Sequence, residues 1–168
     1  MNKKKITLEY SVYNDDIKNI EDYSDENRYN NTDMPYPKLC KEAIKISDNA
    51  YSLYSGFSVG AAVLLEDDTI ILGSNQENIA FPSGICAERT ALSYAATTHP
   101  KTPVKALAIA AKQRGKLLQN PVSPCGSCRQ VFAETITRFK KDFDIIMIGQ
   151  DKTIIIKAGA LLPLAFEF

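Results

Sequence analysis

The spacing of apolar and polar positions changes period several times along this chain, and each change marks an element. Ile6, Leu8, Tyr10 and Val12 alternate with Thr7, Glu9 and Ser11, the period of a strand half-buried on one face. A single strand is not stable alone, so 6–13 is expected to pair with a sheet edge or with another subunit, with a polar linker over 15–33. After Pro35 and Pro37, the residues Leu39, Ala43, Ile46 and Ala50 share one helical stripe, which predicts a core-facing helix to about Tyr51. Two β-rich apolar runs, 58–65 and 69–73, flank the acidic turn Glu66-Asp67-Asp68 and predict a hairpin. Helices are expected over 86–98, ending before Pro100, and over 125–139. Between them the unbroken apolar run 104–111 suits a strand buried on both faces. Strands at 144–148 and 153–157 and a short helix at 158–162 complete the order αββαβαββ. This predicts an α/β protein, a three-layer α/β/α sandwich around a mixed five-stranded sheet.

Composition narrows the class of partner. The 168 residues fit one domain, with 1–34 as an N-terminal extension and 35–168 as the main unit. The extension holds eight acids and five bases, while the whole chain is formally neutral. A neutral chain offers no electrostatic footprint for nucleic acid or a membrane surface, which favours a small-molecule substrate. No apolar run approaches the roughly 20 residues that span a bilayer. The opening lysines lead into an alternating segment rather than a signal-peptide core, so a cytoplasmic address is expected. Four cysteines in such a chain point to metal ligands, catalytic groups or buried thiols rather than disulfides.

Three of those cysteines cluster in two motifs, Cys86-Ala87-Glu88-Arg89 and Pro124-Cys125-Gly126-Ser127-Cys128. Both fall at expected helix starts, where free N–H groups and the helix dipole favour thiolates. Cys125 and Cys128 are three apart and share a helical face. Three thiolates can hold one Zn²⁺ and leave its fourth position for water, the pattern of a catalytic rather than a structural zinc. Their summed charge calls for compensation, and Arg89, on the face of Cys86, is the first candidate; Arg129 is the second. Cys40 is the only spare thiol and reads as a core residue beside Leu39. His99, before Pro100, reads as a surface or helix-end residue. Glu88 stands two residues from Cys86, a spacing that in mid-helix would point the two apart but that a position in the first turn relaxes.

These residues resemble the free-nucleoside cytidine deaminase family, specifically its homotetrameric three-cysteine branch. The resemblance rests on Tyr54-Ser55-Gly56-Phe57-Ser58-Val59-Gly60-Ala61-Ala62, Asn75-Gln76-Glu77-Asn78, Ile85 to Ala91, Ser123 to Val131 and Leu161-Leu162-Pro163. It implies a cytidine deaminase-like fold and one Zn²⁺ per subunit held by Cys86, Cys125 and Cys128. Glu88 is implied as proton shuttle in the hydrolytic deamination of cytidine and 2′-deoxycytidine for pyrimidine salvage. By the same resemblance Asn75 and Glu77 bind the ribose and Phe57 packs on the base. The Ala87 N–H meets the pyrimidine O2, and the Ser123 carbonyl meets the amino group. Tyr54, Ile79, Phe81 and Phe166 are implied to act across a homotetramer interface with shared active sites. The chain departs from the family at Leu53 and Ser58, where prolines are usual, and at Leu164, where glycine is usual.

Two other functions use related chemistry. A deaminase of a cytosine-nucleoside antibiotic of the blasticidin S type would share the scaffold, though Asn75 and Glu77 favour an ordinary ribose. A nucleic-acid-editing deaminase would need a basic groove; residues 35–168 hold fifteen bases against twelve acids.

Overall fold

The computed structural model describes residues 8–14 and 34–166. The expected linker over 15–33, Ile6 and the last two residues lie outside the described residues. In chain order the elements are β1 (Tyr10–Asn14), α1 (Pro37–Ile46), β2 (Phe57–Leu65), β3 (Ile70–Ser74), α2 (Ala87–Thr98) and β4 (Val104–Gln113). They continue with β5 (Lys116–Leu117), α3 (Gly126–Phe139), β6 (Asp144–Ile148) and β7 (Lys152–Lys157), with 3₁₀ turns at Ser47–Asn49, Phe81–Ser83 and Ala158–Leu161.

The sheet runs β1-β7-β6-β4-β2-β3, with β5 added alongside β4. Among the strands of the described residues only the β4–β6 pairing is parallel, so the sheet is mixed. It has seven strands rather than the five expected for the main unit. One addition is β1, which pairs antiparallel with β7 from Tyr10 opposite Ile156 to Asn14 opposite Lys152. The other is β5, whose two residues are too few to show a period. The three-layer class stands, because the extra strands widen the sheet without adding a layer.

Each face of the sheet carries its own core. α1 covers one face, where Leu39, Cys40, Ala43 and Ile44 meet Ala62, Ala106, Ala108 and Ala110. On the other face α2 and α3 place Ala87, Ala91, Leu92, Cys128 and Phe132 against Val63, Leu107, Ile109 and Ile145. Phe132 and Phe143 pack edge to face there at 5.9 Å. The central strand β4 feeds both cores, as its unbroken apolar run requires.

α1 stops at Ile46, short of the expected Tyr51, and its buried stripe is Leu39, Cys40, Ala43 and Ile44 rather than one including Ile46 and Ala50. The Ser47 hydroxyl donates to the Ile44 carbonyl at 2.6 Å, and the chain tightens into the 3₁₀ turn. Among the described residues no helix is long and apolar enough to cross a membrane.

Candidate active site

Two helix starts converge on one point. Cys86 and Cys125 occupy the N-cap positions of α2 and α3, both in extended conformation, and their carbonyls accept the first helical bonds from Thr90 N and Arg129 N. The N–H groups of the first turns therefore have no partner within their own helices, and each end carries partial positive charge. α2 can lie this close to the sheet because β3 presents Gly73 to it. A Cβ on that glycine would stand 2.6 Å from Ala91 N and 2.7 Å from the Ala87 carbonyl. Arg129 secures α3 by donating from Nε to the Pro124 carbonyl at 2.9 Å and from a terminal nitrogen to the Leu161 carbonyl at 3.2 Å.

The sulfurs of Cys86, Cys125 and Cys128 all lie within 4.8 Å of one another. Cys86 and Cys125 are 3.9 Å apart and Cys125 and Cys128 3.5 Å apart. Tetrahedral Zn–S bonds of about 2.3 Å space neighbouring sulfurs about 3.8 Å apart, so the donor set fits zinc in both chemistry and spacing. Within the cluster the protons are held unevenly. The neighbouring Cys128 thiol brings Cys86 down to about 6 against the opposing effect of burial, with Arg89 helping, and the same proximity pushes Cys128 up. Metal binding needs all three as thiolates and so releases protons. Cys40 sits in the opposite core, and His99 caps the far end of α2 with its ring on Thr98 Oγ1 at 2.9 Å.

Glu88 is buried at 5% exposure within the first turn of α2. Because Cys86 precedes the helix instead of lying in it, the mid-helix objection to a spacing of two does not apply. Burial raises the Glu88 carboxyl above the usual carboxylate range, opposed by its own backbone N–H, the neighbouring Cys128 thiol and the Arg89 charge.

A cavity of about 530 Å³ opens beside the sulfurs. Its lining includes Phe57, Asn75, Glu77, Ala87, Glu88 and Ser123, together with Cys86 and Cys125. The fully buried Cys128 and the half-buried Arg89 lie outside the lining. Asn75 is engaged on both sides of its amide, donating to the Phe57 carbonyl at 3.0 Å and accepting from Val59 N at 2.7 Å. Gln76 and Ile85 exchange a pair of backbone bonds at 3.0 Å each, which ties the Asn75–Glu77 segment to the residue before Cys86. Tyr54 and Phe81 meet edge to face at 6.3 Å at the cavity wall. Ile79 is exposed and Phe166 is held beside α3 by Gln130 Nε2 on its carbonyl at 3.0 Å; neither lines the cavity. The sequence reading missed two groups. Ser55 and Gln113 bind the 54–57 loop, and only the Ser-Gly pair at 55–56 carried a turn signal.

An open three-thiolate centre beside a buried carboxyl in an apolar cavity defines a hydrolytic zinc enzyme rather than a zinc-stapled fold. Residues 35–141 match the family model described as the cytidine and deoxycytidylate deaminase zinc-binding region. The cytidine deaminase of Halalkalibacterium halodurans is 41% identical over 133 residues, covering 79% of this chain and 95% of that protein. That of Sporosarcina psychrophila is 48% identical over 101 residues, 60% of this chain and 70% of the relative. The crystal structure of cytidine deaminase from Burkholderia pseudomallei superposes with a TM-score of 0.66 at 34% identity, covering 79% of this chain and all of that one (100%). The chain belongs to the cytidine and deoxycytidylate deaminase family, and zinc is its cofactor.

Proposed function

We propose that this protein hydrolyses cytidine and 2′-deoxycytidine to the corresponding uridines and ammonia, in pyrimidine salvage. The observation that carries the reading is the convergence of the three sulfurs, the buried Glu88 and the cavity lined by Phe57, Asn75 and Glu77. Cys86, Cys125 and Cys128 would hold the ion, with the two helix ends and Arg89 offsetting the thiolate charge. Bound zinc supplies a water acidified enough to attack at neutral pH. Glu88 takes a proton from the water as its oxygen bonds to C4 and passes that proton to the pyrimidine N3; it then carries a second proton from the new C4 hydroxyl to the amino group, which leaves as ammonia when the C4–N bond breaks. The Ala87 N–H holds the base O2, the Ser123 carbonyl receives the amino group, and Phe57 packs on the ring. Glu77 and Asn75 hold the ribose.

The lining favours an unphosphorylated substrate. Among the described residues it contains no lysine or arginine, and bonds from Ser55 hold the Glu77 carboxyl below the usual carboxylate range. Within one chain the lining offers no cation to a 5′-phosphate. In an ultraviolet assay with zinc measured in parallel, cytidine and deoxycytidine are expected to turn over and deoxycytidylate to be poorly used. Absence of turnover on both nucleosides by zinc-loaded protein would overturn the assignment.

We also infer a homotetramer in which neighbours close the cavity. Ile79 and Phe81 are 80% and 77% exposed, and with Leu53 and Tyr54 they leave a large apolar surface around the mouth. Light scattering is expected to give a particle of four chains, with Phe81→Asp reducing both assembly and turnover. A fully active monomer would count against it.

A further inference from the structure

The loop before Phe57 is bound more tightly than its exposed position requires. Ser55 Oγ accepts from Phe57 N at 2.9 Å; that N–H can only donate, so the single hydroxyl proton is free for Glu77 Oε1 at 2.5 Å. Glu77 Oε2 accepts from Tyr54 N at 2.8 Å and Ser55 N at 3.3 Å. Gln113 Nε2 grips the Ser55 and Gly56 carbonyls at 3.2 Å each, and Gly56 turns the chain with φ 64°. At the neck of the loop the hydroxyls of Ser52 and Ser58 meet at 2.9 Å, a side-chain tie at one of the two places where this chain lacks a proline. A carboxylate offers about four acceptor sites. Three of those on Glu77 are occupied within the loop, which leaves room for one donated sugar hydroxyl in a fixed direction.

We propose that Ser55 is a positioning residue for ribose recognition, its hydroxyl locking the Glu77 carboxylate to the backbone that carries Phe57. The sugar-binding and base-packing groups then move as one unit. This rests on the deaminase reading above. Ser55 acts before chemistry, so its loss changes substrate affinity and leaves the reacting atoms alone.

The test is steady-state kinetics on the zinc-loaded full chain with Ser55→Ala, Ser55→Thr, Glu77→Gln and the Ser55→Ala/Glu77→Gln double variant. Ser55→Ala is expected to raise KM for cytidine about tenfold with kcat within about twofold, because the Glu77 carboxylate loses the charge-assisted bond that fixes it for the sugar while the reacting atoms are untouched. Ser55→Thr should restore KM. In the Glu77→Gln background Ser55→Ala should add less than about twofold, since the two residues act as one unit. Unchanged KM in Ser55→Ala, or effects that multiply in the double variant, would overturn the assignment. Should Ser55→Ala fail to fold, the shape-matched pair Ser55→Thr and Ser55→Val reads the hydroxyl alone, and equal KM values in the pair overturn it. Wild-type protein inactive on cytidine sinks the deaminase reading; an active wild type with an indifferent Ser55 sinks this inference only.

Discussion

Replacing Glu88 by alanine is expected to lower turnover on cytidine by about 10²–10⁴-fold while zinc stays at one ion per chain. The separation follows from geometry. Three sulfurs form the metal-holding group without Glu88, whereas the Glu88 carboxyl faces the cavity from a buried position beside Cys128. Burial keeps this carboxyl from ionising as readily as an exposed one, which suits a group that must both accept and return a proton. Alanine is well tolerated in a helix first turn, so α2 should persist. Metal analysis alongside the ultraviolet assay decides the matter. Turnover equal to wild type would remove Glu88 from the mechanism, and loss of zinc would make it a ligand instead.

Cys128→Ala is expected to abolish both zinc and turnover. Cys128 is fully buried and lies 3.5 Å from Cys125, so its sulfur cannot be replaced by a neighbour without repacking α3. Two remaining thiols fall below the three protein ligands of a catalytic zinc site. Metal binding also stabilises whatever fold holds it, so chelator should lower the wild-type Tm and leave that of the variant unmoved. Cys40→Ala is the control and should keep one zinc per chain, because Cys40 lies in the core on the other face of the sheet. A Cys128→Ala protein with full zinc content would refute the ligand set.

Much of this was legible in the sequence because the motifs coincide with changes of period. Cys86 and Cys125 were visible as helix starts, and the structure places both one residue before their helices. That offset leaves Glu88 in the first turn, the position that relaxes the mid-helix objection to its spacing from Cys86. The end of α1 was hidden because Ser47 turns its hydroxyl onto the Ile44 carbonyl, a local competition that apolar periodicity does not register. β5 was hidden by its two-residue length. Asn75 and Glu77 drew attention through the family resemblance as sugar ligands. Their bonds to β2 and to the 54–57 loop depend on chain segments about twenty residues apart in sequence, which a linear pattern does not report.

The division of the interior into two cores has a consequence for how this protein can change. None of the residues lining the cavity belongs to the core beneath α1, and that core is rich in alanine, at 43, 62, 106, 108 and 110. Substitutions there act first on thermal tolerance, while those beneath α2 and α3 bear directly on residues that line the cavity. The layer under α1 is where such a sequence can drift or be engineered for heat with no cavity-lining residue changed.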